Sequence, residues 1–141
     1  MDILSELESE FEALRAGQTD NKIAELIRVE HLGGASFLGN LVVGLDFVAG
    51  TGNQQLLVFP TNAVAMIAAN AIPKLQQKSL SDLLAAQRKP VRVHFSLRNQ
   101  VRKGWLLSEH GPWLRIAAER KVVWCPIAVV TLIELSAVEN L

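Results

Sequence analysis

Hydrophobic and polar residues alternate most regularly in PVRVHFSLR, where Val91, Val93, Phe95 and Leu97 interleave with Arg92, His94, Ser96 and Arg98. A period of two predicts a half-buried strand with one wet face. Arg98-Asn99-Gln100 then reads as a turn into VRKGWLLSEHG, and Gly111-Pro112 as a turn into WLRIAAE. Glu119 and Arg120 lead back into KVVWC, and AVVTLIEL follows Pro126. Upstream, SLSDLLAAQ predicts a short helix capped by Ser79 or Ser81 and stopped by Pro90. A short helix followed by five short strands with tight turns matches a small closed barrel.

The same order occurs earlier in the chain. Aligned sixty-five residues apart, GNLVVGLDFVAGTGNQQ runs with the segment beginning at Gly104, so that Gly39 falls on Gly104 and Leu41 on Leu106. After a slip of one residue in the loop, Pro60 falls on Pro126, Val64 on Val130 and Ile67 on Ile133. This pattern predicts two copies of one β unit, over residues 22–73 and 79–137, with residues 74–90 beginning as a linker. In the first copy AGTGNQQ reads as a loop and Gly33-Gly34 as a turn, because glycine reaches positive φ without steric cost. Residues 22–32 fit a helix through Ile23, Leu26 and Ile27 or a strand through Ile27, Val29 and His31, and the alanines of residues 63–72 also permit a helix. Residues 1–17 predict an amphipathic helix, with Ile3, Leu4, Leu7, Phe11 and Leu14 on one face and glutamates on the other. The expected fold class is mainly β with short helices (α+β), two tandem small barrels preceded by that helix.

Composition narrows the class. The chain has 141 residues, half of them hydrophobic and one fifth charged, which suits a globular protein with a core. No apolar run approaches the ~18 to 20 residues that span a bilayer. The acidic start MDILSELESE lacks the basic and apolar regions of a secretory signal, and the single Cys125 forms no internal disulfide. The expected location is the cytoplasm. Net charge is zero but segregated: residues 1–31 carry eight acids against three bases, and residues 74–121 carry eleven bases against three acids. Such asymmetry points to an acidic or basic partner, or to two halves of the molecule or of a dimer that face each other.

The pattern of helix, bent strands and proline-marked last strand resembles the Sm-like and Src-homology-3-like small barrels. More narrowly, residues 79–135 resemble proteins of high-GC Gram-positive bacteria, some labelled Fis-type regulators. The matching positions are Leu83 and Leu84, Val91 and Val93, Gly104, Trp113 and Leu114, and Cys125-Pro126 with Ala128 and Val129. The Sm resemblance implies RNA binding and ring assembly. The turn Arg98-Asn99 lacks the glycine of that family's RNA pocket, and no C-terminal helix pair fits a Fis-type reader.

Catalytic chemistry has few candidates. His31, His94, His110 and Cys125 are the only soft metal ligands and lack zinc-site spacing, so neither a metal nor a cofactor is expected. Cys125, in an apolar strand before proline, reads as a buried inert thiol, and the glycine-rich GGASFLG and AGTGN lack phosphate-loop spacing. If Leu114 and Ile116 point inward, Trp113 and Arg115 point outward beside Arg92, His94 and Arg98, with Arg102 and Lys103 on the same hairpin. These seven residues form the expected interaction surface. The expected function is a non-enzymatic protein-binding or assembly module that self-associates, for example as a homodimer. The alternative is an RNA or single-stranded nucleic-acid binder using the basic, tryptophan-bearing face. Trp105, Trp113 and Trp124 also fit as core or interface residues.

Overall fold

The computed structural model describes residues 26–69 and 73–136. The strands run β1 (Ile27–His31), β2 (Gly34–Val43), β3 (Phe47–Gly52), β4 (Gln55–Pro60) and β5 (Val64–Ala68) in the first unit. A two-residue β6 (Lys74–Leu75) and a helix α1 (Leu80–Ala85) lead to β7 (Val91–Leu97), β8 (Gln100–His110), β9 (Trp113–Ala118), β10 (Lys121–Pro126) and β11 (Val130–Ser136). Single 3-10 turns at Thr61–Ala63 and Ile127–Val129 precede β5 and β11. Among the described residues no helix is long and apolar enough to cross a membrane.

The α+β expectation is corrected. Ten of the strands join one continuous path, β10-β9-β8-β7-β11-β4-β3-β2-β1-β5, with β6 parallel to β2 and every other pair antiparallel. Helix is confined, among the described residues, to the six residues of α1 and the two 3-10 turns. The segments that also suited helix became strands because sheet pairing overrides weak helix propensity: β1 is held between β2 and β5, and the alanine-containing β5 pairs with β1. The helix expected over residues 1–17 lies outside the described residues.

The two copies are real in geometry but are joined rather than merely tandem. Beyond its pairing with β7, β11 pairs with β4 of the first unit, from Ile133 opposite Val58 to Ser136 opposite Gln55. The cores cross the joint as well. Phe47, Ala49 and Val58 of the first unit pack with Leu80, Leu84, Val93, Ile116 and Ile133 of the second, and Leu132 packs on the first unit's Val29, Leu38 and Phe59. A lone fifty-residue unit buries too little apolar surface to be comfortably stable, so sharing a core is the physical reason for the joint.

The linker is stitched to the same place. Gln76 N–H donates to Val43 O and Leu45 N–H to Lys78 O, both at 2.9 Å. Helix α1 opens with a capping box: Ser79 Oγ accepts from Asp82 N–H at 3.1 Å, and the Asp82 carboxylate accepts from Ser79 N–H. Asp46, from the β2–β3 turn, accepts from Leu80 N–H at 2.6 Å. One first-unit carboxylate thus takes an orphan donor at the start of α1.

The repeat needs no slip. A constant offset of 66 residues carries Ile27 opposite Leu38 into Val93 opposite Gly104, and Phe47 opposite Pro60 into Trp113 opposite Pro126. Gly104 therefore corresponds to Leu38, not to Gly39. At this crossing the two units exchange roles. A Cβ on Gly50 would lie 2.8 Å from Leu38 Cβ, and one on Gly104 would lie 2.6 Å from Ile116 Cγ2. Each crossing holds one glycine and one branched side chain, placed on opposite strands. The closing strand departs from the offset, with β11 lying two residues further along β7 than β5 along β1. That even shift keeps the inward and outward faces unchanged.

The stretch read as the loop AGTGNQQ shrinks to the two-residue turn Asn53-Gln54, matched by Glu119-Arg120, and both turns have positive φ at each residue. Arg98-Asn99 makes the same turn between β7 and β8, where the first unit has Leu32-Gly33. Mirror-image turns of this kind match the strand twist, which explains why Gln, Glu and Arg accept φ values that favour glycine or asparagine.

Candidate protein-binding face

Outward positions of the second unit follow from its register. Leu106, Leu114 and Ile116 are buried, so their neighbours Trp105, Trp113 and Arg115 point to solvent. Across the sheet Trp124 lies opposite Arg115, which lies opposite Ser108; Pro126, Trp113 and His110 form the next row; Val122, Ala117, Trp105 and Arg92 form the third. All three tryptophans therefore share one face, with Trp113 49% and Trp124 52% exposed. The His110 ring lies 4.9 Å from Trp124, centroid to centroid, and its Nε2 is 2.8 Å from Ser108 Oγ.

The seven expected surface residues are not all together. Arg92, His94, Lys103, Trp113 and Arg115 lie on this face. Arg98 sits at the exposed tip of the β7–β8 hairpin, at the other end of β8 from Trp113. Arg102 lies on the opposite side, pairs with Glu119 and borders a groove beneath β10. Two members of the face are already engaged. The Arg92 guanidinium stacks on Trp105, 5.0 Å from the ring centroid, and His94 Nε2 lies 3.0 Å from Glu134 Oε1. Lys103 and Arg115 remain as exposed cations.

Trp105, Val122 and Trp124 belong to the face without having been in the expected set. The signal was available. Period-two alternation from buried Leu106 places Trp105 outward, and pairing Trp124 with Arg115 does the same for Trp124.

The groove beneath β10 has a volume of about 300 Å³ and is lined by Phe95, Leu97, Val123, Cys125 and Val129, with Arg102 and Glu119 at its rim. Burial pushes the Cys125 thiol above its ordinary pKa, so its thiolate, the nucleophilic form, is scarce at neutral pH. A wider cleft in the first unit, about 760 Å³, is lined by Phe37, Leu57 and the amides of Asn40, Asn53 and Gln54, with no titratable side chain among the described residues that line it. His31 is tied on the first unit's own sheet. Gly33 N–H donates to its Nδ1 at 3.1 Å, which leaves the proton of the neutral ring on Nε2 to donate to Ser36 Oγ at 2.8 Å. Burial lowers the His31 pKa below its ordinary value. Among the described residues no three His, Cys, Asp or Glu side chains converge as metal ligands do.

In the first unit the equivalent positions are covered. Its counterparts of Trp113, Arg115 and Trp124 are Phe47, Ala49 and Val58, all buried beneath α1 and β11. No protein-family model matches the chain, and no curated protein matches its sequence.

Proposed function

We propose that the protein is a non-enzymatic, cytoplasmic interaction module whose second unit binds protein through Trp113, Arg115, Val122 and Trp124. The observation that carries this reading is the contrast of equivalent positions: in the first unit this face is an intramolecular interface, and in the second it is half-exposed and rich in tryptophan. Tryptophan and arginine are the residues that dominate binding energy at protein interfaces, because they bury much area and desolvate well. The nucleic-acid alternative has less support. Arg92, His94 and Arg102 spend their polar groups on Trp105, Glu134 and Glu119, and Arg98 stands away from the tryptophans.

The test is retention of protein on the immobilised full chain, offered both native extract and a differently tagged copy of the same chain. The wild type is expected to retain a protein that a Trp113→Ala, Trp124→Ala double variant does not. Retention of nothing, or equal retention by both, would sink the proposal. A single-stranded RNA titration runs alongside: binding that falls steeply with salt and is lost on Arg115→Ala would favour nucleic acid instead.

A further inference from the structure

The two sides of β10 differ in chemistry. Val122 and Trp124 turn toward the tryptophan face, and by alternation Val123 and Cys125 turn the other way, into the groove of about 300 Å³ beneath the strand. A hollow of that size takes a small molecule, and small-molecule sites are mostly apolar with a few placed polar groups. Here the walls are Phe95, Leu97, Val123, Cys125 and Val129, and the charged side chains Arg102, Glu119 and Lys121 stand at the rim.

In the first unit the equivalent walls are covered from within the chain. The offset of 66 residues carries Phe95, Val123 and Cys125 back to Val29, Leu57 and Phe59, which pack with Leu132 of β11. In the second unit the smaller Val123 and Cys125 replace Leu57 and Phe59, and among the described residues no strand pairs with β10 on that side. The walls therefore suit an aliphatic group.

The rim suits an anion. Arg102 Nη1 pairs with the Glu119 carboxylate, but Arg102 Nε is buried and has no acceptor among the described residues. A buried donor in this state is satisfied by a ligand that brings an acceptor of its own. Lys121 adds a second cation, which forms no ion pair among the described residues. Two cations against one carboxylate leave a single positive charge, which matches a carboxylate better than a phosphate monoester with its nearly two negative charges.

We propose that the groove beneath β10 binds a medium-chain aliphatic carboxylate, with its chain against Leu97, Val123, Cys125 and Val129 and its carboxylate on Arg102 and Lys121. The proposal goes beyond the protein-binding reading and does not rest on it, because the groove and the tryptophan face lie on opposite sides of β10.

The test uses the full chain with octanoate as the probe. Cys125 is the only cysteine, so its alkylation by N-ethylmaleimide reports on the groove wall; burial raises its pKa, and the reaction is therefore run at mildly alkaline pH. Octanoate should slow this alkylation saturably, and calorimetry should give one site per chain. Octanol, which has the chain without the charge, should bind about tenfold more weakly, the scale of a charge-assisted hydrogen bond. Acetate, which has the charge without the chain, should give no protection. Arg102→Gln should remove most of the preference for octanoate over octanol, and its remaining octanol binding separates loss of the charge contact from loss of the fold. Cys125→Phe, which places the first unit's side chain in the wall, should abolish the calorimetric signal. Alkylation unaffected by octanoate, protection that never saturates, equal affinity for octanol, or a preference that survives Arg102→Gln would each overturn the proposal. A Cys125 that resists N-ethylmaleimide with no probe present, yet reacts in denaturant, would overturn it too, by showing that the groove is closed.

Discussion

The first and second units trace the same strands at a fixed offset, yet their outward faces end differently. Phe47, Ala49 and Val58 lie under α1 and β11, whereas Trp113, Arg115 and Trp124 face solvent. The inward faces also solve one problem in two ways, with Leu38 over Gly50 in the first unit and Ile116 over Gly104 in the second. The lesson is that a repeated backbone fixes which positions meet but not which side chain meets them, or whether a neighbour covers them.

The largest expected effect tests the outward contrast. Phe47→Ala should cost about 3–5 kcal/mol, as truncation of a buried aromatic does, while Trp113→Ala at the equivalent position should change the stability of the dissociated chain by under ~1 kcal/mol. Chemical denaturation of both variants at low concentration reads this directly. Similar losses would mean that the second face is as covered as the first.

The inward contrast comes next. Gly104→Ala places a Cβ against Ile116 and the Ala117 carbonyl, so it should cost about 1–3 kcal/mol from overpacking. Combined with Ile116→Gly, which moves the glycine to the strand that carries it in the first unit, it should cost less than the two single losses added together. A double-mutant cycle showing simple additivity would break the proposed exchange of roles.

The smallest effect is in pH. His31 stands where the second unit has Leu97, and burial lowers its folded pKa. The unfolded chain therefore takes up this proton first as pH falls. The contribution of the neutral ring is fully present above the ordinary histidine pKa and is lost progressively as pH drops from there toward the folded value. Its partial burial keeps the effect small. The gap in melting temperature between wild type and His31→Leu should shift against the wild type from pH 7.5 to about 5.5, a window around the histidine pKa; a gap constant with pH would count against this.

Much of the second unit was legible beforehand. Alternation in PVRVHFSLR and WLRIAAE is a strong local signal, and it placed Leu114 and Ile116 inward and Trp113 and Arg115 outward, as found. The first unit was harder to read. Its glycines made β3 and the start of β4 look like a loop, and its alanines left β5 open to helix. Matching Gly39 to Gly104 by identity also hid the exchange with Leu38. Arg102 was grouped with the site residues by its place in the hairpin, although alternation from buried Leu106 and Gly104 sets it on the inner side, opposite Phe95.

What the chain determined locally was the strands, the two-residue turns, the duplication and the side to which each side chain points. These depend on a period of two and on turn geometry, which act over a few residues. Only the tertiary structure decided that β11 crosses to β4, that Phe47 and Val58 are core while Trp113 and Trp124 are surface, and that β5 and β10 are left as edges among the described strands. Burial of an outward face and pairing of a strand's second edge depend on which distant segment arrives there. The period-two pattern of a single strand carries no record of that neighbour.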